Sequence, residues 1–141
     1  MITTPLIDDD GAAFWEAAGS GRLAVQRCGA CETPRFPPRP MCPACRSRAV
    51  IWTTASGYGE LWSFVVAHPP LLPEFARFAP YPVVVVELED EPGLRVVGNV
   101  VAAPDAPINS VDPATLRIGL PVRAVFAEIA PGVVHPRWMP A

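Results

Sequence analysis

Every cysteine of the chain lies in one short stretch, "RCGACETPRFPPRPMCPACR" (27–46), as two Cys-x-x-Cys pairs ten residues apart. Two residues between paired cysteines let a tight turn aim both sulfurs at one ion, and two such turns facing each other complete a tetrahedron. Cys28, Cys31, Cys42 and Cys45 are therefore read as four thiolate ligands of one metal. The ten-residue gap is short for such sites but long enough for a hairpin that reverses the chain. Two disulfides, with three possible connectivities, are the alternative, and a reducing compartment argues against them. A redox Cys-x-x-Cys needs one pair at the start of a helix, and neither pair precedes a helical pattern. Zinc is the expected metal; the same spacing also binds a single iron.

Such a site is closed. With four protein ligands it leaves no position for water or substrate, so its expected role is structural. A small lobe built on it draws its folding energy largely from metal binding. No thiol then remains for nucleophilic catalysis.

The rest of the composition fits one domain of 141 residues, half of them hydrophobic, with nineteen prolines that favour loops and strand edges over helices. Net charge is −3, and all eleven basic residues are arginine. An acidic balance argues against a nucleic-acid partner, and the absence of lysine excludes Schiff-base chemistry. "MITTPLIDDD" carries no apolar run of signal-peptide length, and no stretch nears the ~18 apolar residues of a membrane span. A cytoplasmic protein without a membrane partner is expected.

Along the chain, "DDDGAAFWEAAGSG" reads as a short helix with Asp10 as its cap and Gly19 and Gly21 at its end. "RLAVQR" (22–27) is a strand into the cysteine segment and "AVIWTT" (49–54) a strand out of it. Four more strands follow: "GELWSFVVAH" (59–68), "PYPVVVVELED" (80–90), "LRVVGNVVA" (94–102) and "PVRAVFAEI" (121–129). The four valines suggest a strand buried on both faces. Gly98 suggests a bulge or bend, and "DPATLRIG" (112–119) a single capped helical turn. With "AVIWTT" counted among them, five strands and one helical insertion match a small closed barrel of the OB type, a β-sandwich being the competitor. "APGVVHPRWMPA" reads as an extended tail on the surface. The division is thus 1–24 helical segment, 25–54 zinc ribbon, 55–130 OB-fold and 131–141 tail.

No catalytic constellation emerges. His68 ends a strand before Pro69-Pro70 and His135 lies in the tail; neither has a nucleophile at useful spacing, and a structural or interface role suits both. "GSGRLA" fits G-x-G-x-x-A but follows a helix and precedes a strand, the reverse of dinucleotide binding. The linker "ETPRFPPRPM" is stiffened by Pro34, Pro37, Pro38 and Pro40. Phe36 packs beneath the turns, or joins Arg35 and Arg39 as an edge for a protein or phosphate partner. Tyr58, Trp62, Phe64 and Tyr81 are candidates to stack on a base or line an apolar tunnel, with core packing as the alternative. Arg77, Arg95 and Arg117 are candidate phosphate contacts.

The segments "RCGACETPRFPPRPMCPAC" (27–45), "SGYGELWSF" (56–64), "PYPVVVVEL" (80–88) and "LRIGLPVRAVF" (116–126) resemble the DUF35 proteins, in order and spacing, over roughly residues 9–129. That resemblance implies an N-terminal helix, a rubredoxin-like zinc ribbon and a C-terminal OB-fold. It further implies an accessory subunit that partners a thiolase-superfamily enzyme, including thiolase-like retro-aldolases of steroid side-chain breakdown, or a MaoC-type enoyl-CoA hydratase. A coenzyme A thioester is the implied ligand, with Arg35, Phe36, Arg39, Trp62, Phe64, His68, Arg77 and Tyr81 as candidate contacts to it or to the partner. In the family, Gly often follows the second Cys of a pair; here Glu32 and Arg46 stand in those places. A single-stranded nucleic-acid module and a stand-alone enzyme using His68 are the competing functions.

Overall fold

Alternation of apolar residues from Tyr58 onward builds the larger sheet. The computed structural model describes residues 3–141, and β4 (Tyr58–Ala67), β5 (Tyr81–Leu88), β6 (Arg95–Asn99), β7 (Pro121–Ala130) and β8 (Val133–Pro140) form one antiparallel sheet in the order β6-β5-β4-β7-β8. Leu61, Val84, Val86, Val96, Val122 and Trp138 bury the inner face. The valine strand β5 is buried on alternate residues rather than on both faces, because its outer side remains half open.

Three expectations need correction here. "AVIWTT" is not part of this sheet: its strand β3 (Val50–Thr54) pairs with β1 (Ala24–Cys28), which also pairs with the short β2 (Pro34–Arg35), giving a separate three-stranded ribbon sheet. The fifth strand is instead the segment expected to be a surface tail, now β8, paired along β7 from Val122↔Pro140 to Ala130↔Val133. Its proline content suits an edge strand, which disguised it. The expected closed barrel is a five-stranded sheet that is not closed by a ladder. Its edges β6 and β8 meet at one parallel bridge, Val100↔Trp138, and Val101 N–H donates to Trp138 O at 2.8 Å.

Trp138 explains Gly98, which is no bulge. β6 stays in register with β5 there, and a Cβ on residue 98 would lie 3.0 Å from Trp138 Cδ1. The glycine is required for close approach of the indole. A register shift does occur between Leu61 and Ser63; it lets Leu61 and Phe64, paired with Val86 and Val84, both face the core while Trp62 lies outward.

Helix α1 (Ala12–Gly19) buries Phe14, Ala17 and Ala18. The residue that caps its N-terminus is Gly11, whose N–H donates to Asp8 Oδ1 at 2.7 Å, rather than the expected Asp10. Phe14 meets Phe36 of the ribbon at 5.5 Å between ring centroids, and Trp15 meets His135 of β8 at 5.4 Å. The helix therefore wedges ribbon and sheet together, helped by the Arg27–Glu91 ion pair. The expected capped turn is present at Pro113–Thr115, where Asp112 accepts from Ala114 N–H at 2.9 Å. A one-turn helix α2 (Pro73–Ala76) in the β4–β5 connection was not expected. Among the described residues no helix is long and apolar enough to cross a membrane.

Because Trp138 joins the two sheet edges with almost no exposure, Trp138→Ala should cost about 3–5 kcal/mol of unfolding free energy, read by urea denaturation. A loss below ~1 kcal/mol would contradict the seam packing described here.

Candidate metal centre and its surroundings

The two Cys-x-x-Cys turns fold alike. Cys28 N–H donates to Thr33 O at 3.0 Å while Glu32 N–H donates back to Cys28 O at 3.0 Å; Cys42 with Ser47 and Arg46 repeats this at 2.9 Å for both bonds. Each turn needs a left-handed residue after its second cysteine, and Glu32 (φ 64°) and Arg46 (φ 65°) adopt it without being glycine. A side chain there costs about 1–2 kcal/mol, so something else must hold both turns.

The sulfurs supply the reason. All four Sγ atoms lie within 4.8 Å of one another, with Cys28–Cys45 and Cys31–Cys42 each at 3.6 Å. Those separations are far beyond a disulfide bond of about 2.05 Å and close to the ~3.8 Å edge of a tetrahedron with metal–sulfur bonds near 2.3 Å. Backbone N–H groups of Ala30 (3.3 Å) and Cys31 (3.4 Å) point at Cys28 Sγ, and that of Ala44 (3.4 Å) at Cys42 Sγ.

Charge follows the same logic. The amides of Cys31 and Ala30 hold the Cys28 thiol down to about 6, and the Thr33 hydroxyl lowers Cys31. At Cys45 the Ser47 backbone contact works downward, but the Cys28 and Cys31 sulfurs outweigh it and push this thiol up to about 11. Without a cation, thiolates this close repel, and a bound cation removes that penalty. The donor set fits a soft divalent ion in a closed tetrahedral site.

Around this centre the candidate residues disperse. Arg35 does not project: it is 4% exposed, its Nε donating to Gln26 Oε1 and its Nη2 to Arg39 O at 3.1 Å. Arg39 N–H also donates to Gln26 Oε1, at 2.8 Å. The linker is thus pinned to β1 through one buried glutamine. Phe36 packs against Phe14 and the core, whereas the Arg39 side chain is exposed. On the large sheet Phe64 packs on the core and Tyr81 is buried beside Phe75. Trp62 is about half exposed beneath the Arg95 guanidinium, 3.8 Å from its ring centroid. His68 is exposed past the end of β4, and Arg77 lies over the Phe78 ring at 4.6 Å.

A cleft of about 410 Å³ brings Arg77 and His135 together with residues that sequence reasoning passed over: Phe75, Phe78, Ile108 and Ile129. Burial, then Arg137, lowers the His135 pKa, and its Nε2 has no hydrogen-bond partner among the described residues. The structural or interface role expected of His135 does not extend to a cleft, because the cleft forms only when "VVHPRWMP" is a strand of the sheet.

Comparison with known families assigns both lobes. The family described as "ChsH2, rubredoxin-like zinc ribbon domain" matches residues 15–50, and "ChsH2, C-terminal OB-fold domain" matches 52–127. The chain belongs to the ChsH2 (DUF35) family. A chain of the solved Ltp2-ChsH2(DUF35) aldolase superimposes with a TM-score of 0.81 at 38% identity, covering 96% of this chain and 98% of that one. The probable enoyl-CoA hydratase alpha subunit of Thermomonospora curvata is 39% identical over 137 residues, 97% of this chain and 39% of the relative. The 3-oxo-4,17-pregnadiene-20-carboxyl-CoA hydratase alpha subunit of Mycobacterium tuberculosis is 35% identical over 124 residues, 88% of this chain and 36% of the relative. The chain therefore spans under two-fifths of the length of these two curated relatives.

Since Glu32 and Arg46 hold left-handed turns, Glu32→Gly or Arg46→Gly should each raise unfolding free energy by roughly 0.5–1 kcal/mol after the entropy cost of glycine. Denaturation of the metal-loaded protein measures this; destabilisation by both would contradict the geometry given for the turns.

Proposed function

We propose that this chain is a non-catalytic accessory subunit that binds a thiolase-superfamily enzyme or an enoyl-CoA hydratase in the cytoplasm and helps hold the acyl-CoA substrate. The observation that carries the reading is the convergence of every thiol on one closed centre, for which zinc is the fitting ion. Zinc, bound by Cys28, Cys31, Cys42 and Cys45, would supply structure rather than Lewis-acid chemistry, since four protein ligands leave it no open position. Relatives named as hydratase subunits and as part of an aldolase support the choice of partner.

The cleft beside α2 supports the ligand part. It lies between the β4–β5 connection and the β7–β8 hairpin, the loops that OB-folds commonly use for ligands. Phe75, Phe78, Ile108 and Ile129 give it apolar walls. Glu74, Asp105 and Glu128 outnumber Arg77 and Arg137 along its rim, so a neutral acyl or pantetheine segment suits it better than the phosphates of coenzyme A. Trp62 with Arg95 offers a separate outward aromatic–cation pair on the sheet.

Co-expression with thiolase-superfamily enzymes and enoyl-CoA hydratases of the same organism tests the reading: one of them should elute together with this chain from size exclusion in a fixed ratio. Elution of this chain as a lone monomer, with full enzyme activity in its absence, would overturn it.

A further inference from the structure

We infer that the second metal turn and its flanks form a basic docking surface for an acidic patch on a partner protein, an inference that rests on the accessory-subunit reading above. Charge along the chain is sharply divided. Residues 22–51 hold six arginines against Glu32 alone, and no Asp or Glu occurs anywhere from 33 to 59. The remainder is strongly acidic, because the whole chain still has a net charge of −3. Four thiolates around a divalent ion subtract two charges from the ribbon and leave it positive.

Not all of these arginines are free. Arg35 is buried in the Gln26 network, and Arg27 is committed to Glu91. Arg39, Arg46 and Arg48 are exposed, and neither ion pair among the described residues involves them. They bracket the second turn, with Arg39 on the chain entering it and Arg46 and Arg48 on the chain leaving it. Met41, beside Arg39 in the chain, and Val50, just beyond Arg48, are also exposed, at 41% and 37%. Arginine and methionine beside apolar side chains, with carboxylates excluded, is the composition of a protein-binding surface. Its backbone is held in advance by the sulfur cluster, the prolines and the Gln26 clasp, so little order remains to be imposed on binding.

The same observations favour a protein over a nucleic acid. A long polyanion would run from this face onto the acidic remainder, whereas a local acidic patch meets only charges within a Debye length of about 8 Å. At the second turn the N–H groups of Ala44 and Arg46 are already spent on Cys42 Sγ and Cys42 O, so neither is open to a phosphate.

The test uses the full, metal-loaded chain and the acyl-CoA enzyme that co-elutes with it, with affinity measured by calorimetry from 50 to 500 mM NaCl. The triple variant Arg39→Glu/Arg46→Glu/Arg48→Glu should bind roughly ten- to a hundredfold more weakly at low salt and lose most of the salt dependence. Its lysine counterpart, which keeps the charges, should retain most of the affinity. If the triple variant loses its metal, the double variant Arg39→Glu/Arg48→Glu, which leaves the turn residue in place, decides the matter. Unchanged affinity and salt dependence in the glutamate variants would overturn the surface while leaving the accessory role standing. Absence of binding by the wild type would overturn both. Tighter binding of oligo(dT) than of the enzyme, or self-association abolished by the triple variant, would give the surface to another occupant and overturn the proposal.

Discussion

Four sulfurs held within 4.8 Å of one another are the constraint on which the rest of the molecule depends. Left without a cation, they cannot all be thiolates, since the Cys28 and Cys31 sulfurs hold Cys45 protonated, and they sit on two turns that are strained at Glu32 and Arg46. A tetrahedral ion reverses both problems at once, since it neutralises most of the charge and ties the turns together. The ribbon has few other resources. Its sheet is three short strands, and its interior polar groups, Gln26 and Arg35, serve to pin the linker rather than to fill a core.

From that clasp a chain of contacts leads into the larger lobe. The fixed turns orient the proline-rich linker, and the linker presents Phe36 to Phe14. Through Phe14 and Trp15 the helix α1 lies across the region where β6 and β8 approach without a continuous ladder. Trp138 closes that seam from within. The metal centre therefore acts at a distance on the sheet that carries the cleft, although it contributes nothing to the cleft's chemistry. Charge is divided along the same line, basic along the chain around the cysteines and acidic elsewhere, so the two lobes present faces of different charge.

The cysteine centre was legible because ligand spacing is a local property: two residues between sulfurs dictate the turn whatever surrounds it. Strands β4 to β7 were legible for a similar reason, since alternation, or in β5 a run of valines, marks a strand over a few residues, although the valine run suggested burial on both faces where the structure leaves one half open. What failed was allocation. "AVIWTT" has the pattern of a strand, but nothing within it says that Cys28↔Val50 pairing draws it into the ribbon. β8 was hidden by Pro136 and Pro140, which are tolerated because the strand lies at an edge of the sheet. The inward turn of Arg35 was also out of reach, as it depends on Gln26 meeting the linker from another strand. His135 and the cleft residues come together only once β8 and α2 are in place, so no local pattern could have named them.

Metal and thiol content of freshly isolated protein tests the central claim most directly. One equivalent of zinc or iron per chain is expected, with all four cysteines unreactive toward a thiol reagent until a strong chelator removes the ion, and with loss of ribbon structure on removal. Metal-free protein that keeps its fold and shows four immediately reactive thiols would contradict the account.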